Sequence, residues 1–308
     1  MFMVFNVLIF ERRIMHPSVV VSGMISHLMS LRSNNSHLST HPIGICCGCK
    51  PQPAKTVQIA YTKAMKAKPY LTVVIPAYNE EERLAPTLAE IALYFSVKDF
   101  ITEIIVVDDG SRDRTSRMVM QTFGNREMKK YSNVLPYLKR HSANLGKGAA
   151  LSTGIMAASG RFMLLTDANG STPVTEFDKL HIRSDLYDFI IGNRSVHTRE
   201  YKPQYFLKKL MNAFTFAVGK TLFRISTSDI LSDFRLIEAR LAKEVAQEQL
   251  ILRFGFDVES LVRARNKGVL IKEVPVMWHG KKDGKIRPVR ESMETIADLV
   301  RLWQKIKE

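Results

Sequence analysis

Cysteine, acidic residues and long apolar runs are all scarce in this chain of 308 residues. All 3 cysteines fall within Cys46–Cys49 (CCGC), so no disulfide framework can staple the remainder, which suits a reducing compartment. Thiols packed this closely lack the spacing of a zinc site. They read as incidental parts of a leader or as a lipidation site beside a membrane. No stretch approaches the roughly 20 apolar residues of a spanning helix: Glu11, Arg12 and Arg13 stop Met1–Phe10, and serine and histidine interrupt Val19–Leu31. Asp and Glu total 30 against 45 Lys and Arg, a formal charge of +15. That excess calls for phosphates or an anionic membrane surface as partner, or is simply a solvated basic surface. No nucleic-acid-binding signature is present, so nucleic acid is not expected.

What is there is enough for a core, with 45% hydrophobic residues. Residues 1–68 stand apart. Ser, Asn, His and Pro dominate Ser30–His41, which reads as an unstructured extension, with a weakly membrane-associated leader as the alternative. From Pro69 the pattern changes. Val73–Glu82 (VVIPAYNEEE) and Ile104–Thr115 (IIVVDDGSRDRT) each open as a bare apolar run and stop in polar turn residues. Buried parallel strands read this way, and open α/β sheets bind ligands at the carboxyl ends of such strands.

Strands are expected at 71–76, 104–107, 134–138, 162–166, 189–191 and 269–276, and helices at 80–95, 113–123, 147–159, 205–223, 239–249, 257–266 and 291–306. This alternation predicts an α/β domain over 69–308, with a mostly parallel central sheet and helices on both faces. The last helix is amphipathic, with Met293, Ile296, Val300 and Trp303 on one face. It either docks on its own domain or lies on a membrane surface.

Six segments carry candidate chemistry. In Asp108-Asp109-Gly110-Ser111 a carboxylate beyond a strand can bind a base or ribose, or can cap the next helix. Pro76-Ala77-Tyr78-Asn79-Glu80, one strand earlier, makes the nucleoside reading more specific. In Asn144–Gly148 (NLGKG) Lys147 can meet a phosphate near a helix N-terminus, or the glycines simply turn the chain; it is not a Walker A loop. Asp167-Ala168-Asn169 offers two oxygen ligands to one hard cation, Mg²⁺ or Mn²⁺, bridging a diphosphate. Asp233-Phe234-Arg235 is either a surface ion pair or a general base beside a phosphate, and in Phe256-Asp257-Val258-Glu259 capping alone explains both carboxylates.

Taken in order, IPAYNEE, VVDDGSRDRT, NLGKGAAL, LLTDANGSTP, IGNR, SDFRL and FGFDVE resemble the family 2 glycosyltransferases of GT-A fold. The chain is most similar to the polyprenyl-phosphate branch, which contains dolichyl-phosphate β-glucosyltransferase, dolichol-phosphate mannosyltransferase and bacterial relatives. The resemblance runs from about residue 70 to the C-terminus, including DGKIRP. It implies that Pro76, Tyr78, Glu80, Asp108 and Asp109 hold the nucleoside, that Asp167 and Asn169 hold the metal, and that Lys285 contacts the donor diphosphate. Arg194 and Lys208 match positions that grip the lipid phosphate, with Arg235 beside them, and Asp233 matches the proposed base. The chain departs from the pattern at Asn169, where the family has a second Asp. It has Leu231–Arg235 (LSDFR) where the dolichyl-glucose enzymes carry a Gln-Cys-Gly-Phe-Lys-like run. The anchor common in the family is absent or vestigial.

The activity so implied is inverting transfer of glucose from UDP-glucose to dolichyl (polyprenyl) phosphate, peripheral or weakly anchored on the cytosolic face of the endoplasmic reticulum. The alternatives are a GDP-mannose-dependent mannosyltransferase, a sugar-nucleotide-binding protein without turnover, and a transferase acting on a soluble saccharide.

Overall fold

The computed structural model describes residues 55–58, 68–194, 198–199, 206–279 and 288–307, with backbone alone for 55–58, 198–199, 206–212, 214, 288–291 and 307. The cysteine cluster, Lys285 and nearly all of the expected leader lie outside these residues.

The bare apolar runs form the middle of a sheet. β2 (Leu71–Ala77) and β3 (Thr102–Asp108) pair in parallel; β4 (Val134–Arg140) extends the sheet beyond β3, and β5 (Phe162–Leu165) lies on the other side of β2. Every residue of β3 is buried. Val73, Ile75, Ile104 and Val106 enter one core layer, and Val74, Ile105 and Val107 the other. A strand covered on both faces has no polar side to alternate with, so its sequence is apolar throughout.

Helices α1 (Leu84–Ser96) and α2 (Thr115–Gly124) cover the first face, through Leu88, Ile91, Phe95, Val119 and Phe123. Helix α3 (Lys147–Ala157) crosses to the second. The short α4 (Phe177–His181) returns to the first, while α5 (Phe206–Phe223), α6 (Ala239–Gln247), α7 (Phe256–Asn266) and α8 (Pro288–Lys307) complete the second. With β1 (Lys55–Gln58), β6 (Phe189–Asn193), β8 (Arg235–Glu238) and β9 (Ile271–Pro275), the sheet has, among the described residues, 8 strands in the order β1-β4-β3-β2-β5-β8-β6-β9. β1 and β8 run antiparallel to their neighbours. A separate parallel pair joins β7 (Thr198–Arg199) to β10 (Trp278–His279). The chain steps from β2 to β4 in one direction and then returns to the other side of β2, so the topological switch lies between β2 and β5. Ligands of open α/β sheets bind in the crevice beyond such a switch.

The structure corrects the sequence reading in several places. Residues 55–58, counted with the leader, pair with β4. β8 was not expected, although Leu236 and Ile237 are buried on opposite faces. α1 begins at Leu84 rather than Glu80, because the intervening residues turn toward the loop after β3. α8 docks through Ile296, Leu299 and Leu302, with Met293 exposed, so the apolar face is rotated by about one residue from the expected stripe. Among the described residues no helix is long and apolar enough to cross a membrane.

One end of the first layer closes with an aromatic cluster containing a histidine. His181 stacks on Phe177 at 5.0 Å between centroids, and its Nε2 lies 3.0 Å from Tyr70 Oη. Burial lowers the His181 pKa from its ordinary 6.5, and Asp178 offsets only part of this. The unfolded chain therefore binds this proton more readily than the folded one, so the stability contribution is intact above pH 6.5 and is lost as pH falls below it. His181→Phe keeps the stack and removes the titration. Its melting temperature should fall less steeply than that of the wild type on acidification from neutrality, measured by circular dichroism; parallel slopes would locate the titrating group elsewhere.

Candidate functional site

The loop after β2 and the loop after β3 are stitched together. Asn79 N–H donates to Ser111 Oγ at 2.9 Å, and Arg112 N–H donates back to Asn79 Oδ1 at 2.9 Å. Glu80 N–H reaches Thr115 Oγ1 at 2.8 Å, and Arg114 N–H reaches Glu81 Oε2 at 2.8 Å. Asn79 takes a left-handed turn at φ 55°. Gly110 does so at φ 70°, and a Cβ there would lie 2.4 Å from the backbone of Ala143. The polar residues that end the two apolar runs thus build one rim. Tyr78 stands exposed on it, Pro76 is half-buried beneath, and Glu80 pairs with Arg83 at 2.7 Å.

Asp108 and Asp109 lie inside this rim. Asp108 is fully buried, accepting Ser111 N–H at 2.8 Å and the Ser116 hydroxyl. Asp109 accepts Leu145 N–H at 2.9 Å and Gly146 N–H at 2.8 Å, and its Oδ1 lies 2.7 Å from His141 Nδ1. Both carboxylates are buried and shape the loops of the rim: Asp108 holds the turn into α2, and Asp109 holds the entry to α3.

That entry delivers Lys147. The Lys147 ammonium bridges the carboxylates of Asp233 and, at 2.8 Å, Asp257. Asp257 also lies 3.7 Å from the Arg235 guanidinium, while Asp233 lies 3.8 Å from Arg194, which grips Asp229 with two bonds of 2.8 Å. Charges therefore alternate from Arg235 through Asp257, Lys147, Asp233 and Arg194 to Asp229. Burial alone would raise the Asp233 carboxyl; Lys147 and Arg194 outweigh it and hold the group below the usual carboxylate range. Burial likewise opposes the Lys147 charge, but Asp233 and Asp257 raise its pKa. With side chains 30% and 22% exposed, Asp233 and Arg194 are the most open members of this series.

Asp167 follows β5 in the same crevice. Burial and then the charge of Asp233 push its carboxyl up to about 6, against a weak bond from Ser171 N–H at 3.2 Å. Asn169 Oδ1 accepts the Ser171 hydroxyl. Among the described residues no cluster of three or more His, Cys, Asp or Glu side chains forms a metal cage. A carboxylate and an amide oxygen fit a hard cation that takes its remaining ligands from substrate phosphates and water.

The family model described as glycosyl transferase family 2 matches residues 72–245. The chain is a family 2 glycosyltransferase. Over 246 residues it is 33% identical to the dolichyl-phosphate beta-glucosyltransferase of Dictyostelium discoideum, covering 76% of this chain and 73% of that protein. It is 30% identical to the Homo sapiens protein of the same name, with 75% and 74% covered. The fold is that of glucosyl-3-phosphoglycerate synthase from Mycobacterium tuberculosis, solved with Mn²⁺, UDP-glucose and phosphoglyceric acid: TM-score 0.56 at 18% identity, over 77% of this chain and 80% of that one. The expected GT-A architecture is therefore present.

Set against the expected site, the transferase brings Pro76, Tyr78, Glu80, Lys147, Asp167, Asn169, Arg194 and Asp233 to the carboxyl end of the sheet. Arg235 is corrected. Its side chain is fully buried and donates to the carbonyls of Ser232 (2.8 Å), Asp257 (2.7 Å) and Ile230 (3.1 Å) and to Ser260 Oγ (2.6 Å), so it braces the loop carrying Asp233 instead of meeting a phosphate. Lys208 lies on α5 with its side chain outside the description, and Lys285 lies outside the described residues. The sequence reading missed Asp229 and His141 and assigned Asp257 no more than a cap. Only FGFDVE carried a signal for any of them; Asp229 and His141 sit in no pattern of their own.

Proposed function

We propose that this transferase moves glucose from UDP-glucose to dolichyl (polyprenyl) phosphate with inversion at the anomeric carbon. The observation that carries this reading is the state of Asp233. A sugar hydroxyl needs a base to take its proton, whereas a phosphate monoester is already ionised near neutral pH and needs a cation to hold it. Asp233 is paired with Lys147 and Arg194 and held below the usual carboxylate range, which makes it a poor base. The names of the relatives point to the same acceptor and sugar.

In this reading an acceptor phosphate oxygen forms the new bond to the anomeric carbon as the bond to the UDP β-phosphate oxygen breaks on the opposite face. Arg194 draws the acceptor phosphate in, with Lys208 a further candidate, and Asp233 fixes Arg194 and Lys147 in place. Tyr78, Pro76 and Glu80 line the nucleoside side. Asp167 and Asn169 would hold Mg²⁺ or Mn²⁺, which when bound offsets charge on the departing diphosphate. Lys285 is assigned to the same diphosphate by resemblance. Residues 69–308, with strand β1 (Lys55–Gln58) added to the sheet, form the transferase domain, working peripherally at the cytosolic face of the endoplasmic reticulum.

A second reading, nucleotide-sugar binding without turnover, is favoured by one observation: the amide of Asn169 replaces a carboxylate and is already bonded to Ser171. A panel of radiolabelled nucleotide sugars with dolichyl phosphate and Mn²⁺ separates the two. The expected result is label from UDP-glucose in a chloroform-soluble, mild-acid-labile product. Transfer from GDP-mannose alone would overturn the sugar and keep the class. Calorimetric binding of UDP without product from any donor would support the second reading.

A further inference from the structure

The loop between α6 and α7 presents apolar side chains to solvent. Leu250, Leu252 and Phe254 are 45%, 52% and 39% exposed, while Ile251 between them is buried at 4%. Leu145, on the adjoining loop, is 36% exposed. Single exposed apolar residues are ordinary; several on one short loop mark a contact surface.

The loop is held in this shape. Leu250 N–H and Ile251 N–H donate to the buried Glu259 carboxylate at 2.9 and 2.8 Å, and Arg263 pairs with that carboxylate at 2.7 Å. Ala149 N–H holds the Leu252 carbonyl at 3.0 Å. The approach is so close that a Cβ on Gly146 would lie 2.4 Å from the Leu252 carbonyl oxygen, and one on Gly148 would lie 2.6 Å from that of Ile251. A fixed backbone thus turns alternate apolar side chains outward.

We propose that Leu250–Phe254 is a docking tip that inserts into the surface of an anionic lipid bilayer; this rests on the polyprenyl-phosphate reading of the site. Charge argues for a bilayer. The exposed Arg253 stands between Leu252 and Phe254 in a chain of net charge +15, and apolar residues interleaved with cations suit an interface of acyl chains and acidic headgroups. Size argues the same way. One loop tip falls far short of the roughly 800 Å² per partner of a stable protein interface, whereas a few inserted side chains suffice for reversible attachment to a membrane. Continuity completes the argument. The glycines against which the loop rests flank Lys147, and the same loop leads into Asp257, which bonds Lys147 at 2.8 Å. A docked tip would therefore bring the site's cations to the bilayer that carries the acceptor phosphate.

The test is co-sedimentation of the full chain with phosphatidylcholine vesicles with and without phosphatidylserine, comparing wild type with Leu252→Glu/Phe254→Glu. Wild type is expected to bind, more tightly with phosphatidylserine, and the double variant to lose roughly tenfold or more in partitioning, since two apolar side chains leave the interface. Its melting temperature and its turnover of a short-chain, water-soluble polyprenyl phosphate should stay unchanged. Equal partitioning of variant and wild type, or no wild-type binding, would overturn the tip. So would self-association in the ultracentrifuge that the double variant abolishes without any vesicle binding, which would make the tip a contact between copies. Vesicle binding that the variant loses, with no turnover of any polyprenyl phosphate, would keep the tip and remove the acceptor reading.

Discussion

Arg235→Met is expected to destabilise the fold by about 3–5 kcal/mol, the cost of breaking a buried ion pair from one side. Burial lowers the guanidinium's pKa, and the carboxylates of Asp257 and Asp233 offset part of that cost. Methionine fills much of the volume but removes the guanidinium's bonds to the carbonyls of Ile230, Ser232 and Asp257, of which Asp257 keeps the Ser260 hydroxyl, and deprives the Asp257 carboxylate of a neighbouring cation. At this domain size the melting temperature should fall by roughly 10 °C in calorimetry. Arg235→Lys should recover little, because one ammonium cannot span the directions the planar fork reaches. The control is Arg240→Ala: Arg240 pairs with Glu244 but is 86% exposed, and its loss should change stability by less than about 0.5 kcal/mol. A comparable loss in both variants would mean that Arg235 is an ordinary surface cation and that the loop bearing Asp233 needs no brace.

This arginine marks the boundary of what the sequence could tell. The central strands were legible because Val73–Ile75 and Ile104–Val107 are apolar on both faces, which only a strand covered on both sides tolerates. The crevice was legible because the polar residues that end those strands cluster where a parallel sheet binds ligands. β8 was not, since a four-residue strand beginning with Arg and ending with Glu has no period to read. Arg235 therefore read as a phosphate ligand when it is the first residue of a buried strand. Asp229 and Asp257 were hidden for a related reason. An acidic residue before a strand or at a helix start has an adequate local role, and only the fold shows that both sit on one chain of alternating charge with Lys147 and Arg194. α8 misled by one residue because its apolar arc is broad, and contact with α5 selects the side bearing Leu299 and Leu302.

Asp167→Ala is expected to show the opposite signature to Arg235→Met: turnover falls by roughly 10³-fold or more, while the protein is no less stable. The activity loss follows if Asp167 is the charged ligand for the cation, since Asn169 alone supplies a neutral oxygen. The stability side follows from electrostatics. Burial and Asp233 push the Asp167 carboxyl up to about 6 from 3.8, so ionisation is less favourable in the folded chain than in the unfolded one. At pH 7 the wild type carries that penalty and the alanine variant does not. The gain should therefore be present above pH 6 and fade as pH falls toward 3.8, where the carboxyl is protonated in both states. Asn169→Asp extends the same logic. A second carboxylate beside Asp167 should lower the melting temperature of the metal-free protein and reduce the half-saturating Mn²⁺ concentration several-fold in the transfer assay. Full turnover in Asp167→Ala would remove this corner from the active site. An unchanged Mn²⁺ titration in Asn169→Asp would show that residue 169 contributes no ligand, leaving Asp167 and the donor diphosphate to hold the cation between them.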